Sequence, residues 1–258
     1  KGLIMHCDPR TRTEWLMQPI SEKKINSMNF ELCTDSVDGA ILAARYKAKR
    51  IELCSALSVG GLTPGISLIE RCAQEGGAEV HAMIRPREGG FVYTQTELGL
   101  MEVDIEKAAG AGARGVVFGV LDTSYHVANE NLILLKRAKE YGLEVTFHRA
   151  FDLIEGMEAG ISKLIEMGFD RLLTSGMKQN VTEGLLNIQL MQHQFGDRIQ
   201  IMAGGGVTPS NALQLAATGI QNLHFTSRIE KQIRNLEGMG TEKIEDEVKI
   251  SAIINLFR

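Results

Sequence analysis

The sequence predicts an α/β fold, a single (β/α)8 TIM barrel of parallel strands. Three observations lead to this prediction: the chain has 258 residues, short apolar runs alternate with helical patterns, and there are eight such runs. A (β/α)8 barrel is typically about 250 residues long. Strict alternation of strands and helices implies parallel strands. Eight units of roughly 25 residues each therefore fit one barrel.

Each predicted strand is a short apolar or alternating run bounded by polar or turn residues. In chain order the eight runs are residues 29–34 (NFELCT), 50–54 (RIELC), 79–85 (EVHAMIR), 114–119 (RGVVFG), 143–148 (LEVTFH), 170–174 (DRLLT), 199–203 (IQIMA) and 221–226 (QNLHFT).

The segments between these runs carry apolar residues three or four positions apart, which is typical of amphipathic helices. Leu132, Leu135 and Ala138 show this spacing. Seven helices fit between the strands, and residues 241–257 provide an eighth. Glycines that favour helix ends occur just before the following strands, at Gly76, Gly77, Gly112, Gly142, Gly168, Gly196 and Gly219. A doubly wound open sheet is the alternative, and the lack of a GxGxxG turn argues against it.

Residues 1–27 differ from the rest of the chain because they show neither strand nor helix periodicity. They hold the only tryptophan, Trp15, and the first strand follows directly after Met28. We expect an irregular leader or expression-derived segment over 1–27 and the barrel over 28–258.

Composition excludes several classes of protein. A net charge of −4 gives no basic face for nucleic acid. No apolar run approaches the ~20 residues needed to cross a membrane. Four cysteines are too few for a disulfide scaffold, so we expect free thiols and a cytoplasmic location.

The alternation of side chains along each strand predicts which residues face the inside of the barrel. The apolar face must pack on the helices, so the other face points inward. The inward set contains Glu31, Cys33, Glu52, Cys54, His81, Met83, Arg85, Thr146, His148, His224 and Thr226. Barrel interiors are normally filled by Val, Ile and Leu, and buried charge is costly unless it is paired. We expect Glu52 to pair with Arg85 on the neighbouring strand.

Two interpretations of this polar interior remain open. It is either a satisfied network that stiffens the barrel or a functional site. The functional interpretation is favoured because reactive residues lie nearest the carboxyl ends of the strands, where barrel active sites lie.

The loops at this end also predict an anion site. Gly204, Gly205 and Gly206 follow the seventh strand, and Ser227 and Arg228 follow the eighth. In this fold, phosphate commonly binds after strands seven and eight, on backbone N–H groups. The alternative is that these glycines only close tight turns.

Several long motifs resemble the CutC copper homeostasis family. They are IELCSALSVGGLTPG (51–65), MIRPREGGFVY (83–93), VVFGVL (116–121), VTFHRAFD (145–152), LLTSG (172–176) and GGGVT (204–208). The resemblance covers most of residues 29–228. It implies a cytoplasmic homo-oligomer with a role in copper tolerance through copper(I). The proposed metal-binding cysteines of that family fall on Cys33 and Cys54.

Two functions are consistent with these residues. Copper(I) is soft and prefers thiolates, and cysteines on adjacent strands about 4.8 Å apart suit one ion. Met83 is either a third soft ligand or a residue that fills the core. The alternative is an enzyme acting on a small anionic or phosphorylated substrate. In that case Glu52 or His148 is the general acid or base, Arg85 binds the anion, and Asp152 lies nearby. The Cys54 thiol is a nucleophile if Arg85 or a protonated histidine lowers its pKa.

Overall fold

The computed structural model describes residues 28–231 and 241–258. The leader predicted over 1–27 lies outside these residues. Eight strands form a closed barrel in chain order, and each strand runs parallel to its neighbours. The first strand pairs with both the second and the eighth, which excludes the doubly wound open sheet.

The strands and helices alternate as predicted. The barrel strands are β1 (Asn29–Thr34), β2 (Arg50–Leu53), β3 (Glu79–Met83), β4 (Gly115–Phe118), β5 (Glu144–Phe147), β6 (Arg171–Thr174), β7 (Gln200–Gly204) and β8 (Asn222–Thr226). The helices between them are α1 (Val37–Arg45), α2 (Ile66–Glu75), α3 (Gln95–Gly110), α4 (Asn131–Glu140), α5 (Met157–Met167), α6 (Leu185–Phe195) and α7 (Ala212–Ala217).

Local signals fix where the helices begin and end. The side chain of Ser36 accepts a hydrogen bond from the backbone of Gly39 at the start of α1. Thr94 and Glu97 form a reciprocal capping box at the start of α3. Gly168 ends α5 in the left-handed conformation, with a φ of 94°, which glycine adopts without steric cost.

The carboxyl-terminal region differs from the prediction of one helix over 241–257. Residues Lys243–Glu245 form β10, which pairs antiparallel with β9 (Arg228–Glu230). The last helix, α8, covers only Glu247–Ile254 because the carboxylate of Asp246 accepts from the first backbone N–H groups and starts the helix there. In the described residues no helix is both long and apolar enough to cross a membrane.

The main hydrophobic core lies between the barrel and its helices. Apolar strand residues predicted to face the helices are buried there, including Leu32, Ile51, Ala82, Val145 and Leu223. This confirms the predicted faces of the strands. The opposite faces meet inside the barrel, where the polar residues are concentrated.

Candidate functional site

A buried ion pair lies inside the barrel below the site. The side chains of Glu31 and Arg50 are fully buried, and Arg50 Nε donates to Glu31 Oε2 at 2.9 Å. Arg50 Nη2 also donates to Asn222 Oδ1 at 3.0 Å. Burial alone raises the pKa of Glu31, but the hydrogen bond from His224 and the charge of Arg50 hold that pKa well below its usual range. Glu31 is therefore ionised.

His224 on β8 joins two buried carboxyl groups. Its Nδ1 lies 2.9 Å from Glu31 Oε1, and its Nε2 lies 3.7 Å from Glu52 Oε2. Burial works to lower the pKa of His224, but Glu52, Cys33 and Glu31 together raise it well above its usual value. Burial raises the pKa of Glu52. His224 therefore holds a proton between two carboxyl groups at neutral pH.

The two cysteines predicted as metal ligands meet above this histidine. Cys33 lies on β1, and Cys54 directly follows β2. The ligand atoms of Cys33, Cys54 and Glu52 all lie within 4.8 Å of one another, and all three residues are buried. The Cys54 thiol donates to Glu52 Oε2 at 3.7 Å. Met83 belongs to the same buried cluster as both cysteines. The site therefore places three sulfur atoms and one carboxyl group together.

Both thiols are protonated at neutral pH. The hydrogen bond with Cys54 and burial raise the pKa of Cys33 well above its usual value. For Cys54, the hydrogen bond with Cys33 works to lower the pKa, but burial and the Glu52 carboxylate raise it to about 11. The condition under which Cys54 would be a nucleophile, a pKa lowered by Arg85 or a protonated histidine, is therefore not met. Burial and the negative charge of Glu52 raise the pKa of this thiol.

The predicted pair between Glu52 and Arg85 is also wrong. The guanidinium of Arg85 donates to the backbone carbonyls of Val59, Gly61 and Gly89, each at 2.9 Å. The strand register pairs Glu52 with His81, so Arg85 lies farther along the barrel axis, beyond the end of β3. Arg85 therefore organises the loops over the site.

His148 lies at the end of β5 as a neutral side chain. Burial and the charge of Arg85 lower its pKa to about 3. Its Nδ1 accepts a hydrogen bond from the backbone N–H of Ala150 at 3.3 Å. Its Nε2 is buried and has no partner among the described residues. The ring of Phe91 packs on the imidazole, with 4.8 Å between the ring centroids.

Asp152 lies in a network of hydrogen bonds between two loops. Its carboxylate accepts hydrogen bonds from Arg149 Nε at 2.8 Å, from the backbone N–H of Ser175 and from that of Met177, and from the hydroxyls of Thr174 and Ser175. With its oxygens occupied in this way, Asp152 fixes the loops after β5 and β6.

The residues of the predicted anion site are only partly brought together. Gly205, Gly206 and Arg228 line the same cavity, whereas Gly204 packs under His224 and Leu173. The hydroxyl of Ser227 donates to Glu245, and Arg228 forms an ion pair with Asp35. Gly205 has a φ of 102°, and an added Cβ there would lie 2.9 Å from the guanidinium carbon of Arg149. Arg149 is therefore the cation that lies against this loop.

A cavity of about 870 Å³ opens above the cysteines at the carboxyl end of the barrel. Its floor includes Cys33, Glu52, Met83 and His224, and Arg85, Phe91 and His148 line it as well. Lys243 and Lys249 lie at its rim together with Arg149 and Arg228. This volume is in the range of small-molecule sites.

Four residues that hold the network together, three buried and one half-exposed, were not among the sequence candidates. Arg50 and Arg171 are fully buried, Asn222 binds Arg50, and Glu144 binds Arg171 at 2.8 Å. The alternation of side chains along the strands could have placed both arginines inside the barrel, because Arg50 shares the face of Glu52 and Arg171 shares that of Leu173. Arg149 also lies outside the predicted set, and its position depends on the short 3-10 helix Arg149–Leu153.

Comparisons with known proteins agree with the resemblance seen in the motifs. The family model described as "CutC family" matches residues 28–229. A family protein CutC from Photobacterium profundum is 37% identical over 246 residues, covering 90% of this chain and all of that protein. The human copper homeostasis protein cutC homolog is 41% identical over 204 residues, covering 79% of this chain and 74% of that protein.

Solved structures share the same architecture. A crystal structure of CutC from Streptococcus agalactiae superimposes with a TM-score of 0.69 and 33% identity, covering 76% of this chain and 97% of that chain. The 3-hexulose-6-phosphate synthase of Salmonella typhimurium has a TM-score of 0.57 at 15% identity, covering 89% of this chain and 98% of that chain, and shows the fold alone. Together with the match of the family model, the CutC relatives show that this chain belongs to the CutC family.

Proposed function

We propose that this protein binds copper(I) through Cys33 and Cys54 and serves copper homeostasis in the cytoplasm. One observation supports this above the others: two buried thiols and the Glu52 carboxyl group lie within 4.8 Å of one another, beside Met83. The human relative carries copper homeostasis in its name.

The donor set fits a soft cation. Thiolate and thioether ligands favour copper(I), and metal–thiolate distances of about 2.3 Å allow one ion to reach both sulfurs. Binding removes the protons from Cys33 and Cys54, so the two new negative charges must be balanced. The copper ion and the protonated His224 supply positive charge within the same buried cluster.

Competition titration tests this assignment. The reduced protein is titrated with copper(I) in the presence of a chromophoric chelator, in a Cys7→Ser background so that the residue outside the described range does not contribute. We expect Cys33→Ser and Cys54→Ser each to weaken copper binding at least a hundredfold. Cys72→Ser is the matched control, because Cys72 is also a buried free thiol but lies on α2 in the main core. Equal affinity for copper(I) in all three variants would refute the assignment of Cys33 and Cys54 as ligands.

An enzyme acting on a small anionic or phosphorylated substrate is the second candidate function. It is favoured by the cavity of about 870 Å³, which is far larger than one metal ion needs. Arg85 and Asp152 are committed to loop contacts, so Glu52 and His148 are the groups left for chemistry. Phosphate release from phosphate esters, compared between the wild type and Glu52→Gln, tests this candidate. Equal rates in both would remove it.

We also propose that the chain forms a homo-oligomer. Large apolar side chains lie exposed on α3 and α4, where Leu100, Val103, Leu132 and Ile133 are each 45–50% exposed. Apolar surface of this kind favours contact with another protein. Light scattering after size exclusion tests this, and a mass of 28.4 kDa in solution would contradict it.

A further inference from the structure

The cavity above the cysteines carries an unused hydrogen-bond donor. His148 is neutral, and its Nδ1 accepts from the backbone N–H of Ala150, so the proton of the imidazole lies on Nε2. That Nε2–H has no partner in the described residues, and the residue is only 5% exposed. A buried donor without an acceptor is unfavourable, so a ligand acceptor would complete it.

An unused acceptor lies in the same cavity. Glu52 Oε2 is near the Cys54 thiol and His224, whereas Glu52 Oε1 is buried and has no partner among the described residues. Glu52 and His148 both line the cavity. A hydroxyl group both donates and accepts hydrogen bonds, so hydroxyl groups on a ligand match these two atoms.

The rim of the cavity is positively charged. Asp152 and Ser175 hold the guanidinium of Arg149 against Gly205, with hydrogen bonds of 2.8 Å from Nε and Nη2. Lys243 and Lys249 also line the cavity, and neither forms an ion pair within residues 28–231 and 241–258. Glu230 also lines the cavity and lies opposite Lys243 in the pairing of β9 with β10. Such a rim favours a carboxylate or a phosphate group.

We propose that this cavity binds a small hydroxylated organic anion, a sugar phosphate or a hydroxycarboxylate. Its oxyanion lies at the rim near Arg149 and the two lysines, and its hydroxyl groups face His148 and Glu52. The ring of Phe91 provides an apolar part of the wall. This ligand would occupy the cavity to which both proposed functions are assigned. Its binding requires neither copper nor turnover.

Calorimetric titration of the reduced, metal-free protein tests this site. The probes are ribose 5-phosphate, malate, inorganic phosphate and uncharged ribose. We expect ribose 5-phosphate or malate to bind at least tenfold more tightly than ribose. His148→Asn keeps an acceptor for the N–H of Ala150 but removes Nε2. This change should weaken binding of the organic anion about five- to tenfold and leave inorganic phosphate within about twofold.

A charge variant keeps the test valid should His148→Asn fold poorly. Lys243→Gln/Lys249→Gln should weaken binding of every anion and reduce its dependence on salt. Lys136→Gln is the matched control, since Lys136 is an exposed lysine on α4, away from the cavity. Because these titrations use metal-free protein, anion binding in them is measured separately from copper binding. The inference is overturned if only inorganic phosphate binds, if no anion binds, or if neither the His148 nor the lysine variant differs from the wild type.

Discussion

Replacing Arg50 with methionine removes the cation that compensates the buried Glu31. Arg50 and Glu31 are both fully buried, and Arg50 also donates to Asn222. Loss of one partner from a buried ion pair costs about 3–5 kcal/mol. Because Glu31 keeps His224, we expect about 3 kcal/mol from the charge, and about 1 kcal/mol more from the unsatisfied Asn222 oxygen. A total of about 4 kcal/mol is a large part of the 5–15 kcal/mol typical of a folded protein.

Part of this loss should depend on pH. The charge of Arg50 helps to hold the folded-state pKa of Glu31 well below its unfolded value near 4.3, so its removal raises that pKa toward the unfolded value. A carboxylate with a lowered pKa stabilises the fold above its unfolded pKa, and this stability is lost as the pH falls. Arg50→Met should therefore lose less stability than the wild type between about pH 7 and pH 3. Urea unfolding at both pH values, followed by circular dichroism, measures the size and the sign of this effect.

Arg171→Met is the matched control for this measurement. Arg171 is also fully buried, but its partner Glu144 is 42% exposed, so that carboxylate stays hydrated when the arginine is lost. We expect a smaller loss of about 2 kcal/mol. A loss below about 1 kcal/mol for Arg50→Met, or a larger loss for Arg171→Met, would refute the reasoning from burial.

Three further predictions follow from single contacts. Burial and a neighbouring arginine lower the pKa of His148 to about 3, while an unfolded imidazole titrates near 6.5. As the pH falls, the unfolded chain therefore takes up the proton first. Because of this group, the free energy of unfolding of the wild type should fall by about 2 kcal/mol between pH 7 and pH 5. His148→Asn should remove that part of the slope in urea unfolding, and an unchanged slope would contradict it. Gly205→Ala places a Cβ 2.9 Å from Arg149 at a φ of 102°, so it should cost about 1–3 kcal/mol by thermal unfolding, and an unchanged Tm would argue against this close approach. Met83→Leu keeps the side-chain volume, so it should lower the free energy of unfolding by less than about 1.5 kcal/mol. It should also weaken copper(I) binding less than tenfold in chelator competition. A loss of affinity equal to that of either cysteine variant would make the thioether an equal ligand.

The barrel could be predicted because its signals repeat along the chain. Every strand is short and apolar on the helix-facing side, and every helix shows its own spacing, so eight weak signals support one another. The hairpin of β9 and β10 lacks such support, because each strand has only three residues and β10 lies beyond residues 232–240. Pairing between short distant segments leaves no local pattern in the sequence.

The inward face of each strand could be predicted, but positions along the barrel axis could not. The alternation of side chains assigns Glu52 and Arg85 to the barrel interior, but it does not show which of them lies nearer the carboxyl ends of the strands. That height follows from the strand register, which pairs Glu52 with His81 and leaves Arg85 among the loop carbonyls.

The charge states of the site also lay beyond the sequence. The pKa of Cys54 rises to about 11 because the thiol is buried beside Glu52, and the pKa of His148 falls to about 3 because it is buried beside Arg85. Both directions depend on burial and on which neighbour is nearest, and these are properties of the folded structure.

The seam between β1 and β8 has a consequence for the order of folding. The bond between Glu31 and His224 joins residues 193 positions apart, and the side chain of Glu245 accepts from Thr34 and from Ser227 across the same seam. Contacts of such long sequence separation form late because the closure of a long loop must come first. During synthesis the edge of β1 that pairs with β8 therefore stays unpaired until nearly the whole chain has been made. Over that interval the Cys33 thiol lacks its cover, so the nascent chain is more vulnerable to oxidation than the finished barrel.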